Sequence, residues 1–234
     1  GINAELLIDH AWGWEPCIIA DIKEYKPSVK SIGSGQVLQC GYTYEKAKLI
    51  VWEMTDLLVL DLVDKRLVTD QIVLTVGYDI ENLTDPDIRK LYKGEITTDG
   101  YGRKVPKSAH GTVNLDRYTS STKLIIDAVM DLFERIVDKN LLVRRVNMSA
   151  NRVVEEGIVE RSDGIEQLNL FTDYKTAEKE KKEEEAELLR ERKVQETILE
   201  LKKKFGKNVV LKGLNLEEGA TTVDRNKQIG GHKA

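Results

Sequence analysis

Cysteine is almost missing from this sequence: Cys17 and Cys40 are the two in 234 residues. That excludes a disulfide-stapled scaffold. Both stand among apolar or small neighbours, so buried thiols in a reducing compartment are the expectation. Histidine is as scarce, and His10, His110 and His232 have no metal-ligand spacing. No apolar run is long enough to span a membrane. No signal peptide is visible either, with Asp9 and His10 so early, so a cytoplasmic location is expected. Positive charge is also in short supply. The net charge is −4, and residues 1–171 hold 21 Lys and Arg against 27 Asp and Glu, a net of −6. Any binding of nucleic acid must therefore come from local clustering. No catalytic set stands out. Gly33-Ser34-Gly35 lacks the Gly-Lys-Ser/Thr of a phosphate loop, although glycine would let backbone amides approach a phosphate. The acidic run from Asp79 to Asp87 reads as a solvated turn.

What is present is a regular alternation of patterns. The chain is 41% hydrophobic and 32% charged, which suits one good domain with a charged extension. Residues 1–26 read as helical: Ala4, Leu6, Leu7 and Ile8 form an apolar turn that Ala11, Trp12 and Trp14 extend. Pro16 opens a second short helix through Ile18, Ile19 and Ile22. Too short for a core of its own, this segment needs something to pack on, or lies loosely. Residues 27–30 form a linker. Two similar halves follow. Ile32 to Leu38 is a short strand, Thr43 caps a helix from Tyr44 to about Asp64, and Thr69 to Tyr78 alternates as a strand. A polar segment runs from Asp79 to Ser108. The second half has a strand near His110 to Leu115, a helix capped by Ser120 or Ser121, and a strand from Leu142 to Val153.

The order strand-helix-strand, strand-helix-strand predicts an α+β fold. It is the split βαβ arrangement, a four-stranded antiparallel sheet with two helices on one face. The other face would carry Gln71, Thr75, Arg145, Asn147, Ser149 and Asn151, open and polar. A solvated face or a partner's seat are the two readings.

After residue 171 the character changes. Residues 172–205 hold ten acidic and ten basic residues and read as a charged helix from Tyr174 to Phe205. Glu178→Lys182 and Glu200→Lys204 support it. Only the later half has an apolar stripe, Val194, Ile198, Leu201 and Phe205, so docking by the last turns is expected. Gly206 caps it. The tail 206–234 has one strand-like piece, Val209-Val210-Leu211, and no visible chemistry.

Two stretches suggest partners. From Lys90 to Arg117 the chain holds Lys90, Lys93, Arg103, Lys104, Lys107 and Arg117 against Glu95, Asp99 and Asp116, a local net of +3. Arg144 and Arg145 open the last strand. Such residues suit loop solubility, or phosphate contacts that carry no sequence information. The second stretch is Gln167-Leu168-Asn169-Leu170-Phe171, an apolar cluster in the polar linker 155–173. Either it packs back on the domain, or Leu170 and Phe171 enter a partner's pocket with Gln167 at its rim.

Gln-Leu-x-Leu-Phe resembles the bacterial sliding-clamp-binding motif. The resemblance then widens over nearly the whole chain. Residues 1–26 are similar to the end of a Y-family translesion DNA polymerase thumb. Lys30-Ser31-Ile32-Gly33 is similar to the start of that family's little finger, residues 31–154 here, and Arg144-Arg145-Val146 to its last strand. Asn114-Leu115-Asp116-Arg117-Tyr118-Thr119-Ser120-Ser121 and the ending Arg225-Asn226 and Ile229-Gly230-Gly231-His232 resemble the SOS-mutagenesis, UmuC and polymerase IV-like branch of Gram-positive bacteria. A departure is Ser149, where some relatives carry a basic residue. The resemblance implies a chain that grips primed or damaged duplex DNA, with Ser31, Gly33, Ser34, Arg103, Lys104, Lys107, Arg144 and Arg145 on the backbone. It implies a sliding-clamp partner held by Gln167, Leu168, Leu170 and Phe171. The palm carboxylates and their Mg²⁺ would precede Gly1, so this piece is expected to hold no catalytic residue and no cofactor, and to begin inside a longer protein. The rival reading is a ferredoxin-like regulatory or small-ligand domain with a helical interaction tail, which fold alone does not exclude.

Overall fold

The computed structural model describes residues 2–25, 30–159, 174–229 and 232–233. The chain divides into two units, Gly1–Lys30 and Ser31–Ala234. The first holds α1 (Ile2–Ala11) and α2 (Ile19–Glu24). Pro16 therefore does not start a helix; α2 begins three residues later, where the Asp21 carboxylate accepts from the Ile18 amide at 2.9 Å. Trp12 is 86% exposed.

In the second unit, β1 (Ile32–Tyr42), α3 (Tyr44–Asp64) and β2 (Leu67–Tyr78) form the first half. The second half is β5 (Ala109–Thr119), α6 (Thr122–Ile136) and β6 (Val143–Asn151). The sheet order is β1-β6-β2-β5, and every neighbouring pair is antiparallel. β1 and β2 are thus parallel with β6 between them, and β5 and β6 are parallel with β2 between them. Both halves are split βαβ units, as the sequence order predicts. Each strand sends alternate residues to the helices: Ile72, Leu74 and Val76 from β2, and Val146, Met148 and Ala150 from β6, all 2% exposed or less. Ile50, Val51 and Met54 of α3 and Ile125, Val129 and Phe133 of α6 meet them. Complete burial of one such side chain is worth about 1.5–3 kcal/mol. Tyr44 packs its ring 5.0 Å from that of Phe133, which joins the start of α3 to the end of α6. Ser121 caps α6 by accepting from the Leu124 amide, whereas Thr43 precedes α3 without a side-chain hydrogen bond.

Further sequence expectations are corrected. Cys17 and Cys40 are exposed, because Cys40 lies on an edge strand and not in the core. β1 runs on to Tyr42 past a register shift after Val37. The segment after β2 is no solvated turn. It holds α4 (Glu81–Thr84), α5 (Pro86–Leu91) and a hairpin of β3 (Ile96–Thr98) and β4 (Lys104–Pro106). Asp79 and Asn82 are buried, and the Asn82 amide donates to the carbonyls of Asp79 and Leu142 while its oxygen accepts from the Leu142 amide. This knot fixes the start of β6. Lastly, no strand forms at 209–211.

The charged helix and tail are part of the domain. A two-residue β7 (Val154–Glu155) pairs with the start of β2, and α7 (Glu156–Val159) follows. α8 (Tyr174–Phe205) then lies on the helices. Its docking residues differ from the expected stripe. Gln195 is 4% exposed and Leu199 reaches the core, while Val194 and Phe205 are 58% and 60% exposed. The contact is largely polar. Gln195 donates to the Ser120 carbonyl and to Thr122, Glu191 accepts from the Ser121 hydroxyl and the Lys123 amide at the α6 N-terminus, and Arg192 pairs with Glu156 at 2.9 Å. Beyond α8 the chain turns back through a 3₁₀ turn (Gly213–Leu216) and α9 (Thr222–Arg225), and ends in β8 (Gln228–Ile229) and β9 (His232–Lys233).

Glu53, in the middle of α3, holds this returning segment. It is 2% exposed. One oxygen accepts from Asn215 at 2.9 Å and from the Thr222 amide at 3.3 Å; the other accepts from the Thr221 amide at 2.7 Å and the Thr221 hydroxyl at 3.3 Å. Arg225 extends the cluster to β1, donating to the Gln36 side chain at 2.9 Å and to the Gly35 carbonyl at 3.5 Å. Burial holds the Arg225 guanidinium below its usual pKa, and Glu53 opposes the shift.

Replacing Glu53 by Ala strands two backbone amides and Asn215 without an acceptor. Denaturant unfolding is expected to show a loss of about 3 kcal/mol. Deleting residues 207–234 strands the carboxylate instead and is expected to cost a similar amount. In that truncated chain, Glu53→Leu should recover part of the loss; a tail that packs without this cluster would leave both variants near the stability of the intact chain.

Candidate nucleic-acid interface

The sheet face away from the helices is set by register. One row across it reads Gly33, Ser149, Val73 and Thr112; the next reads Gly35, Asn147, Thr75 and His110; a third reads Val37, Arg145 and Gly77. At the other end stand Asn151, Gln71 and Asn114. The rows consist of glycines and small or neutral polar residues, with Val37 and Val73 the apolar members and Arg145 the charged one. Hydrogen bonds knit them together. Thr75 bonds the His110 ring at 2.9 Å, Gln71 donates to Asn114 at 2.8 Å, and Ser149 donates to Asn151 at 3.1 Å. Asn147 lies over Gly35, where a Cβ would stand 2.6 Å from its oxygen. Glycine is required there for the side chain to lie flat across the sheet.

The eight backbone-contact residues expected from the sequence do not form one cluster. Gly33 and Arg145 share the open face, but their rows lie four steps apart along β6, about 13 Å at strand rise. Ser31 is exposed just ahead of β1. Ser34 pairs in register with Met148 and lies on the helix-covered face, so it departs from the expected set. Arg144 sits in the bulge that opens β6 and is committed to the protein, donating to the Gln39 carbonyl at 2.8 Å and lying 3.5 Å from the buried Asp79 carboxylate. Sequence reasoning left His110, Thr112 and Asn114 out, although period-2 alternation along β5 sends all three to the open face. It also left out Arg152, which has no periodic signal. This residue leaves β6 at φ +49° and bonds Asp70 at 2.9 Å and Asn114 at 2.7 Å.

Electrostatically, the run from Lys90 to Arg117 is far less positive than its composition. Arg103 is chelated by Asp99 at 2.7–2.8 Å and lies 5.1 Å over the Tyr101 ring. Lys107 pairs with Glu95 at 2.7 Å, Lys90 stands 3.9 Å from Asp87, and Arg117 pairs with Glu184 of α8. Among the described residues Lys93, Lys104 and Arg145 keep no such partner. The hairpin carrying Lys104 leads through Ser108, whose hydroxyl is 3.6 Å from where a Cβ of Gly77 would stand, to the Arg145 end of the face. The described residues contain no group of three or more His, Cys, Asp or Glu able to hold a metal, and no helix long and apolar enough to cross a membrane. Gln167, Leu168, Leu170 and Phe171 lie outside the described residues.

Comparison with known proteins gives a family match and structural likenesses. The family model described as impB/mucB/samB family C-terminal domain matches residues 29–170. No curated protein matches the sequence. Among solved structures, a complex of beta-clamp processivity factor and little finger domain of PolIV aligns at 10% identity and a TM-score of 0.34. That alignment covers 61% of this chain and all of the other. A post-insertion binary complex of Dbh DNA polymerase aligns at 11% identity and a TM-score of 0.33. Here 65% of this chain is covered, and the chain spans 36% of that polymerase.

The pairing of Arg103 has a direct signature. Its side-chain hydrogen bond to Asp99, helped by the Arg103 and Tyr101 amides, holds the Asp99 carboxyl below the usual carboxylate range. Carboxyl-detected NMR titration is expected to find Asp99 ionising below the ordinary carboxylate range. In Arg103→Gln it should move back up toward the ordinary value. Because the folded value is depressed, whatever stability the pair adds is present at neutral pH and disappears as pH falls through that value. An Asp99 that titrates normally in the intact protein would mean that Arg103 is free for other partners.

Proposed function

The chain belongs to the impB/mucB/samB family C-terminal domain, the little finger of Y-family polymerases. From that premise we propose that it grips primer-template duplex through phosphates and tethers its parent translesion polymerase to a sliding clamp. The observation that carries the first half is the open face, where Arg145 has no ion-pair partner among the described residues while Arg152 is paired with Asp70. A sheet face of glycine, serine, threonine and asparagine lets a duplex approach the backbone closely. It offers hydrogen bonds without a base-reading pattern. A grip of that kind suits a template whose bases are distorted. With so few free cations on a net acidic chain, the affinity of this region alone is weak. The nucleotidyl transfer itself, with its Mg²⁺ and carboxylates, belongs to parts of the parent outside this sequence.

Fluorescence anisotropy with labelled duplexes at several KCl concentrations tests this. Arg145→Gln is expected to weaken all sequences alike and to flatten the salt slope by roughly 0.9, the share of one phosphate contact. Lys104→Gln should do the same. Arg103→Gln should change the slope less, because Asp99 already compensates that charge. A loss confined to one DNA sequence, or none with Arg145, would defeat the proposal.

The tether rests on the resemblance of Gln167–Phe171 to the clamp motif and on its position between α7 and α8. Leu170 and Phe171 are adjacent, so an extended peptide would send them to opposite sides, and a local turn or a split pocket must bring them together. A peptide covering Ile165 to Tyr174 should bind the bacterial clamp with micromolar affinity, roughly −8 kcal/mol. Leu170→Ala and Phe171→Ala should each cost about 2 kcal/mol, and Asn169→Ala little. Calorimetry that found equal losses along the motif, or binding that survived the double substitution, would make these residues part of the domain's own packing.

A further inference from the structure

On the side of the helices away from the open face, α3, α6, α8 and the returning tail line a partly open cavity of about 350 Å³. That is at the small end of the range for ligand pockets, roughly 300–1,000 Å³. Its walls are Trp52 and Leu60 from α3, Ile126 from α6, Val194 and Ile198 from α8, and Val210 from the tail. The charged lining residues are Asp56, Lys202 and Lys212, with Glu191 and the exposed Lys123 by the α6 N-terminus. Lys212 is satisfied twice, by Asp56 at 2.6 Å and by the Trp52 ring at 5.2 Å. Glu191 is taken up at the α6 N-terminus. Of the buried or half-buried charged side chains on the walls, Lys202 alone has neither a hydrogen bond nor an ion pair among the described residues. Asp56, the nearest acid acting on it, is already held by Lys212.

A half-buried ammonium without a partner is unfavourable, since desolvation is not offset by any bond. Its effect is visible in the Lys202 amine, which burial pushes below the ordinary lysine range; Asp56 opposes the shift and Lys212 adds to it. A hydrogen-bonded anion would remove that penalty, and the aliphatic and indole walls beside it fit an apolar body. We propose that this cavity is a binding site for a small amphiphilic monoanion, a carboxylate on a short apolar chain, with Lys202 receiving the head group. Because α8 and the tail form two of its walls, such a ligand would join the third layer to α3 and α6. The site is independent of the DNA face, which lies across the sheet.

The probe is decanoate, added to the full chain below its micellar concentration and followed by calorimetry and by the methyl NMR signals of Ile126 and Ile198. Saturable one-to-one binding with shifts at both methyls is expected, while decylammonium should not bind. Lys202→Met keeps the stem and removes the charge, and is expected to weaken decanoate roughly tenfold, the worth of one charge-assisted hydrogen bond. The same variant should unfold at no lower temperature than the parent, since it removes an unpaired charge. Ile126→Trp fills the cavity and should abolish binding. Non-saturable uptake, equal binding of decylammonium, or affinity unchanged in Lys202→Met would overturn the proposal. Binding that survives Ile126→Trp would do so as well, by assigning it to exposed apolar residues elsewhere.

Discussion

A buried carboxylate in the middle of a core helix governs the shape of the Ser31–Ala234 unit. Glu53 occupies a position where an α3 of a simple two-layer fold would meet solvent. It is dry because residues 208–226 cover it, and it is tolerable because Thr221, Thr222 and Asn215 donate to it. A charge in that place without donors would cost several kcal/mol. The tail is therefore not an optional addition. Glu53 and the α9 N-terminus each answer the other's unmet hydrogen-bonding need, four acceptor sites facing orphan helical amides. Arg225 carries the connection on to β1 through Gln36, so helix, tail and sheet edge share one polar cluster.

This arrangement decides which face can meet a partner. With α8 and the tail lying on α3 and α6, the helical side is covered, and the sheet's other side remains open. The α8 contact is made of Gln195, Glu191 and Arg192 and not of an apolar seam. Such a layer depends on geometry more than on burial, because each of these groups needs its particular donor or acceptor. It also consumes charge. Arg117 goes to Glu184 and Lys203 to Asp64, so bases that look available in the sequence are bound internally.

The fold was legible for a plain reason: apolar residues recur at period 2 in β2 and β6 and at helical spacing in α3 and α6, and burial follows those periods directly. Elements held by polar contacts gave no such signal. Asn82 in its knot, Gln195 under α8 and Glu53 under the tail look in sequence like solvated residues, and nothing local distinguishes a buried glutamate with four donors from an exposed one. The +3 run from Lys90 to Arg117 misled for the converse reason. Composition counts charges, whereas the potential at a surface depends on which charges are paired. Asp99 to Arg103 and Glu95 to Lys107 are separated by only four and twelve residues, and both pairs close within the hairpin segment. Ser34 failed by parity: one residue along a strand changes the face, and Gly33, its neighbour, has the open side.

The paired charges bear on how a polymerase finger can work. A strongly basic face would hold any duplex tightly at physiological salt, by counterion release, and would be slow to leave. A face with one free arginine and rows of neutral hydrogen-bonding groups holds weakly and tolerates sliding. Residence on DNA must then come from a second attachment, because two weak contacts on one chain multiply through effective concentration and not through new contacts. A clamp-binding segment between α7 and α8 would supply that second contact. The domain holds the chain on either side of the segment, at β7 through its pairing with β2 and in the middle of α8 through Arg192 and Glu156. Attachment on either side would limit the reach of such a tether and so raise the local concentration of the finger at a clamp-encircled duplex. If the open face is the DNA-binding surface, its single unpaired arginine and the anchoring of α8 would be parts of one arrangement, in which the domain releases a distorted template and remains beside it.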